Sequence, residues 1–142
     1  MSEISILSWN VAGIRSCLKK EKLNFLIENN YDIVCFQETK AEESQVKLEK
    51  EYIELYPYRY WRSITNPEMR KGQSGTSIWT KTKPIKEIEP FEIDNEGRTV
   101  TLEFDNFIIV TVYTPNSQSL TSNRYSFRTE KWDIEFRNHI NN

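Results

Sequence analysis

The 142-residue sequence predicts a single α/β domain, with a mixed sheet that carries helices on one face. Three observations point there. Two short apolar runs, Ile4 to Trp9 and Ile33 to Phe36, are separated by a stretch with helical spacing. Two later runs are joined by the two-residue link Asp105-Asn106, which tolerates left-handed backbone and so suits a hairpin. The C-terminal part then carries large apolar side chains at helical intervals. The order is βα, then mostly strands, then a helix, and no repeat or internal boundary interrupts it.

Each element has its own justification. Ile4 to Trp9 reads as the first strand, and Gly13 to Ser16 as a turn. Leu18, Leu23, Leu26 and Ile27 form a helical stripe over Leu18 to Asn29, and Asn29-Asn30 is a helix stop. Asp32 to Gln37 is the second strand, whose continuous apolar character predicts full burial. Ala41 to Tyr56 is charged and helix-compatible, with Val46, Leu48, Tyr52 and Leu55 facing inward and Pro57 closing it. Tyr58 to Ile64 is aromatic and strand-like, Thr65 to Gly75 is a polar loop, and Thr76 to Thr80 is another strand. Pro84 and Pro90 mark an irregular segment. Arg98 to Phe104 and Phe107 to Thr114 form the hairpin. In its first strand Val100, Leu102 and Phe104 alternate with Thr101 and Glu103; its second is more continuously apolar and is expected to lie deeper. Tyr125, Trp132, Phe136 and Ile140, at intervals of seven, four and four, predict a helix over Arg124 to His139.

Composition narrows the function. Hydrophobic residues are 37%, low for a globular domain, but aromatic residues are 13%, so the core is expected to be built from Trp, Tyr and Phe. A net charge of −2 excludes a generally basic surface, so any nucleic-acid contact must rest on local cations. Cys17 and Cys35 follow no metal spacing, and Cys35 reads as a small buried hydrophobe. Neither a secretory signal nor a membrane-length apolar run is present, which predicts an intracellular protein, cytoplasmic or nuclear, with no disulfide.

The strand ends carry the chemistry. Asn10 closes the first strand and Glu38 follows the second, so two neighbouring strands would bring an amide and a carboxylate to one carboxyl edge, where α/β folds bind ligands. A hard cation takes one or two protein oxygens at such an edge and leaves the rest to water and phosphate. In Val112-Tyr113-Thr114-Pro115-Asn116 the proline favours extended backbone before it and helps aim Tyr113 and Asn116 the same way. A lone strand-end Asn is otherwise a turn former, a lone Tyr a cap on the core, and a lone Glu or Lys a solvated charge.

Taken together these residues resemble a known family. Trp9-Asn10-Val11, Gln37-Glu38-Thr39-Lys40, Ser74-Gly75, Glu96-Gly97-Arg98 and Tyr113-Thr114-Pro115-Asn116 are similar, in order and spacing, to blocks of the exonuclease III type of abasic-site endonuclease. That type lies within the endonuclease/exonuclease/phosphatase superfamily. The resemblance implies half of a four-layer α/β sandwich, with residues 1–142 as the N-terminal half and the second half absent. It implies Mg²⁺-dependent, or Mn²⁺-dependent, phosphodiester hydrolysis 5′ to abasic sites in double-stranded DNA. By the same resemblance Asn10 and Glu38 serve the metal, Tyr113 and Asn116 lie at the scissile phosphate, and Arg15, Lys20, Lys40, Gln73 and Ser74 contact DNA.

The pattern is also incomplete. The family's Gly-Asp-x-Asn and Ser-Asp-His blocks do not occur, and Ala12 stands where the family commonly has an Asp or Asn able to reach a second metal position, which Ala cannot. The lone histidine, His139, sits in a helical stripe and reads as a helix-end residue. A chain of this kind is expected to be weak or inactive alone. Its sheet is expected to leave one apolar face uncovered, and a second polypeptide would supply the missing half. The alternatives are a non-catalytic DNA- or protein-binding remnant, and a phosphatase or sphingomyelinase-like hydrolase, which Glu96-Gly97-Arg98 and the Tyr-x-Pro-Asn block disfavour.

Overall fold

A computed structural model describes residues 3–118 and 122–141. Among them the chain forms β1 (Ile6–Asn10), α1 (Ile14–Lys19), α2 (Phe25–Asn29), β2 (Ile33–Gln37), a 3₁₀ turn (Glu43–Gln45) and α3 (Lys50–Leu55). Strands β3 (Tyr58–Arg62), β4 (Thr76–Thr80), β5 (Lys86–Ile88), β6 (Thr99–Glu103) and β7 (Ile108–Val112) follow. The chain then enters α4 (Asn123–Ser126), a π-helical turn (Phe127–Trp132) and α5 (Asp133–Asn141).

The expected mixed sheet is present, in the order β1-β2-β4-β3. β1 runs parallel to β2, with Asn10 opposite Gln37, and the β2–β4 and β4–β3 pairs are antiparallel. Its residues separate by the two-residue period of a strand. Val34, Phe36 and Trp79 face α1, α2 and α3, in a core with Ile14, Leu23, Leu26, Tyr52 and Tyr56. The core is aromatic, as composition suggests: Phe36 meets Trp79 edge to face at 4.6 Å between centroids.

Ile33, Cys35 and Ile78 point to the opposite face, which is not left bare. The remaining strands, expected to continue the first sheet, form a second, antiparallel sheet in the order β5-β6-β7. It buries Val100, Leu102 and Phe104 against the first sheet. Alternation along β6 explains this, since one apolar row can cover the far side of β2 and β4 only by packing face to face on it. The C-terminal helical run lies on the outer side of the second sheet, where His139 Nε2 is 3.0 Å from Thr101 Oγ1. Phe91 joins it through Trp132, Phe136 and the His139 ring. The layers are helix, sheet, sheet, helix.

Three local expectations are corrected. The stripe from Leu18 to Asn29 is not one helix, because Glu21 adopts a left-handed φ of 58° and splits α1 from α2. Ala41 to Tyr56 is not one helix but a 3₁₀ turn, Glu43–Gln45, and α3, Lys50–Leu55, with irregular chain between them, although Val46, Leu48, Tyr52 and Leu55 do face the core as its spacing implies. β7 is less buried than β6, not more, because it is the edge of its sheet and has a neighbour on one side only. Cys17 and Cys35 are free and buried, and burial pushes the Cys35 thiol up to about 12, so it is inert. No helix among the described residues is long and apolar enough to cross a membrane.

Gly97 joins the layers. Its φ is 64°, and a Cβ there would lie 2.6 Å from the Ser63 backbone at the end of β3. Gly97→Ala is therefore expected to cost about 1–3 kcal/mol of stability. Urea unfolding followed by tryptophan fluorescence would show this, and an unchanged midpoint would contradict the close approach.

Candidate active site

The site begins in the backbone. Beyond the last residues of β1 and β2 and before β4, the chain continues to pair. Val11 N donates to Gln37 O at 3.1 Å, Gly13 N to Glu38 O at 2.8 Å and Ile14 N to Thr39 O at 3.0 Å. On the other side Thr39 N donates to Gly75 O at 3.0 Å and Lys40 N to Ser74 O at 2.8 Å. Extending the ladder through these turns forces Ala12, Glu38, Lys40 and Ser74 into left-handed backbone, with φ between 47° and 57°. Such conformations cost a non-glycine residue free energy and persist only where neighbours over-determine them. Asn10 assists by accepting the Ala12 N–H on its Oδ1 at 3.0 Å. At Gly75 no side chain is possible, since a Cβ would fall 2.2 Å from Thr39 Oγ1. The hydroxyls of Thr39 and Ser74 are sealed from solvent without a hydrogen-bond partner among the described residues.

This frame presents Glu38 at the carboxyl edge. Tyr113, the residue after β7, donates its phenol to Glu38 Oε1 at 3.3 Å, so the two sheets meet at one carboxylate. Lys40 Nζ lies 3.8 Å from the same oxygen, a partly exposed pair of small energetic weight. Just below, Gln37 Nε2 donates to Ser8 Oγ at 3.0 Å and to Thr111 Oγ1 at 2.9 Å, which stitches β7 to the first sheet. Burial, and then the Glu38 charge, raise the Tyr113 phenol above its ordinary value against a weaker pull from Arg98. At neutral pH Tyr113 is therefore a neutral donor.

Beneath Tyr113 lies a buried charge cluster that sequence reading quoted only as part of a block. Arg98 Nε donates to Glu96 Oε1 at 2.6 Å, and Arg124 Nη2 donates to the same oxygen at 2.9 Å. Burial alone would raise the Glu96 carboxyl, but hydrogen bonds from Arg124 and Arg98, and their charges, hold it below its ordinary value. Asp94 accepts from Arg98 N at 3.0 Å and from Thr99 N at 3.0 Å, yet burial outweighs these bonds and raises it. The available signal was a carboxylate and a guanidinium two apart around Gly97, whose left-handed φ of 64° turns the chain between them.

The other anticipated residues are distributed around this centre. Asn10 is exposed at the end of β1. Asn116 Oδ1 accepts Gln118 N at 2.7 Å, so it also shapes its own turn. Arg15 Nη2 donates to Lys40 O at 3.3 Å. Arg15, Gln73 and the unanticipated Lys71 line a cleft of about 260 Å³ that also contains Glu42. Arg15 and Lys40 line an adjoining cleft of about 360 Å³. Lys71 belongs to the basic run Arg70-Lys71 in the polar loop, a signal visible in the sequence. Lys20 caps the end of α1 and is exposed, outside both clefts. Ser74 is buried and serves the loop backbone rather than the surface. Among the described residues no group of three or more His, Cys, Asp or Glu converges. One carboxylate, with an amide one register position away on the neighbouring strand, suits a hard ion that keeps water and phosphate ligands, and the Ala12 methyl adds none.

The sequence pattern described as the Endonuclease/Exonuclease/phosphatase family matches residues 7–141, and the chain belongs to that family. Within it, the chain is similar to proteins named for nuclease activity. It is 41% identical over 119 residues to an exodeoxyribonuclease of Bacillus subtilis, covering 81% of this chain and 44% of that protein. It is 36% identical over 143 residues to the DNA repair nuclease APEX1 of Danio rerio, covering 98% of this chain and 44% of the other. The fold is shared with an AP endonuclease from Archaeoglobus fulgidus at a TM-score of 0.79 and 23% identity, over 97% of this chain and 51% of that one. The chain thus spans less than half the length of these two sequence relatives.

The charge cluster yields a pH prediction. A carboxyl held low in the folded state adds stability that is present above its unfolded pKa and is lost as pH falls through the folded value. Glu96 thus steepens acid unfolding below the ordinary glutamate range, while Asp94, shifted up, acts in the opposite sense above the ordinary aspartate range. Glu96→Gln, which breaks a buried pair, is expected to cost about 3 kcal/mol at neutral pH and to flatten the acid limb. Urea midpoints measured from pH 3 to 7 would test this, and parallel curves for the two proteins would refute it.

Proposed function

We propose that this chain forms one half of a DNA-repair nuclease that hydrolyses the phosphodiester bond 5′ to abasic sites. The observation that carries this reading is the convergence of a backbone-locked carboxylate, Glu38, and a neutral phenol, Tyr113, at the edge where the two sheets meet. Glu38, with Asn10 beside it, would hold a Mg²⁺ or Mn²⁺ ion, whose charge would stabilise the phosphate and leaving oxygen. Tyr113 would donate to a phosphate oxygen, and Asn116 lies on the same loop to orient it. Arg15, Lys40 and Gln73 around the clefts, and Lys20 at the end of α1, would hold the DNA backbone without reading sequence, as suits a lesion found in any context. Ser74 would contribute through the loop it shapes. Such a substrate goes with a cytoplasmic or nuclear location.

The residues that activate water in the family stand in blocks these 142 residues do not contain. The complementary groups would come from the remaining part of a family domain, and a second polypeptide is the partner we propose. Three measurements test the reading. Mn²⁺ should bind the wild-type chain more tightly than Glu38→Gln, and equal affinity would remove Glu38 from the site. Binding to an abasic duplex should weaken with salt. Replacing Lys20 and Lys40 by Ala should reduce the log–log slope by about 2, and an unchanged slope would make them ordinary surface charges. Purified chain should leave abasic DNA uncut in Mg²⁺. A separately expressed second half from a relative should restore incision, and Tyr113→Phe should then slow it by about 100-fold. Robust cleavage by the chain alone would overturn the half-site. Binding with no cleavage under any complementation would favour a non-catalytic DNA-binding module.

A further inference from the structure

We propose that Arg98 is a positioning residue for Tyr113, holding the phenol against Glu38, and that Glu96 and Arg124 act as the anchors of Arg98. The inference deepens the nuclease reading, on which its relevance to phosphate rests. Tyr113 stands one residue beyond β7, where regular pairing has ended. What fixes it there is Arg98, from three directions. Tyr113 N donates to Arg98 O at 2.8 Å. Arg98 Nη1 donates back to Tyr113 O at 3.1 Å. The guanidinium also lies over the Tyr113 ring, 5.1 Å from its centroid. The main chain and one face of the ring are thus held by a single residue, two of the three contacts coming from its guanidinium, which leaves the phenol aimed at Glu38.

Arg98 is itself immobilised. It is 6% exposed, its Nε is bound to Glu96, and its backbone N–H is bound to Asp94. Glu96, 2% exposed, is gripped from the other side by Arg124 at the start of the C-terminal helical run. Between the two, Gly97 is wedged on the Ser63 backbone, so the block has no room to slide. Stability alone does not account for such a cluster, because apolar residues of similar volume commonly replace buried ion pairs without loss. The geometry needs a planar fork that can pair with Glu96, reach a carbonyl and cover a ring at once. An ammonium group offers one point of charge and cannot do all three.

The test needs neither metal nor activity, so its failure is separate from failure of the nuclease reading, which Mn²⁺ binding and complementation decide. Full chain labelled with ¹³Cζ-tyrosine is examined by NMR, with the Tyr113 signal assigned by its loss in Tyr113→Phe. Glu38→Gln should shift that signal, and in an Arg98→Lys background the same change should produce about half the shift or less. The Tyr56 signal, whose phenol donates to Tyr31 O at 2.9 Å on the helical side of the sheet, should stay in place and report an intact fold. If Arg98→Lys does not fold, Glu96→Gln, which keeps an acceptor for Arg98 but loosens it, should shrink the response instead. An equal response in both backgrounds would overturn the proposal. So would a Tyr113 signal insensitive to Glu38→Gln, or a Tyr56 signal that moves with it, since that would mark general loosening.

Discussion

Backbone pairing that continues past the ends of β1, β2 and β4 is the constraint on which the remaining features depend. Loops normally leave a sheet as soon as the ladder ends, and their polar groups turn to water. Here five main-chain bonds, from Val11–Gln37 to Lys40–Ser74, carry the ladder onward into the turns. Residues in these turns can satisfy both neighbours only by taking left-handed φ values, and the turns become rigid in consequence. Glu38 is held by bonds on either side of it, not merely attached to a strand end. The missing Cβ at Gly75 and the turn closed by Asn10 are conditions for the same arrangement.

A second set of contacts brings the other sheet to meet that frame. Gln37 reaches across to Thr111, while Arg98 and Glu96 support the residue that follows β7. The polar contacts of the two sheets concentrate near this edge, whereas apolar packing fills the space between them farther down. Charge is organised in the same way. With a net charge of −2, the cations of use to an anionic ligand are local ones: Arg15, Lys40 and Lys71 around two adjoining clefts. Arg98 and Arg124 share the one carboxylate of Glu96, which commits both guanidinium groups to internal contacts and makes them a source of rigidity.

Much of this was legible in the sequence, for reasons that differ by residue. Strand β2 was readable because it is a short apolar run bounded by polar turns, and β4 because the β-branched and aromatic residues Thr76, Ile78, Trp79 and Thr80 follow a polar loop. Glu38 was readable because a carboxylate directly after such a run lands on the sheet edge. The helical stretches before β2 and β3 were less so. Leucine spacing reports which side faces the core, not whether the backbone stays helical, and a single left-handed Glu21 was enough to divide one stripe into two helices. The second sheet was hidden because alternation along β6 specifies an apolar row without naming the surface that row will cover. The depth of β7 misled for a related reason: burial of an apolar strand depends on how many neighbours it has, which its own composition does not record. The support of Tyr113 by Arg98 was the least accessible, since a buried charge cluster looks in sequence like ordinary surface charge until its partners converge from separate elements.

Left-handed backbone at Glu38 and Lys40 also places stability and usefulness at odds. Glycine occupies that region without penalty, so replacing either residue by glycine would relieve a local strain of about 1 kcal/mol, set against the larger entropy of the unfolded chain. A campaign that selected hardier variants by melting temperature alone could therefore drift toward removing the carboxylate and its neighbouring cation. The carboxylate and the cation proposed for this edge are thus among the residues a thermostability screen would protect least, and heat tolerance is a poor guide to whether the proposed site is kept.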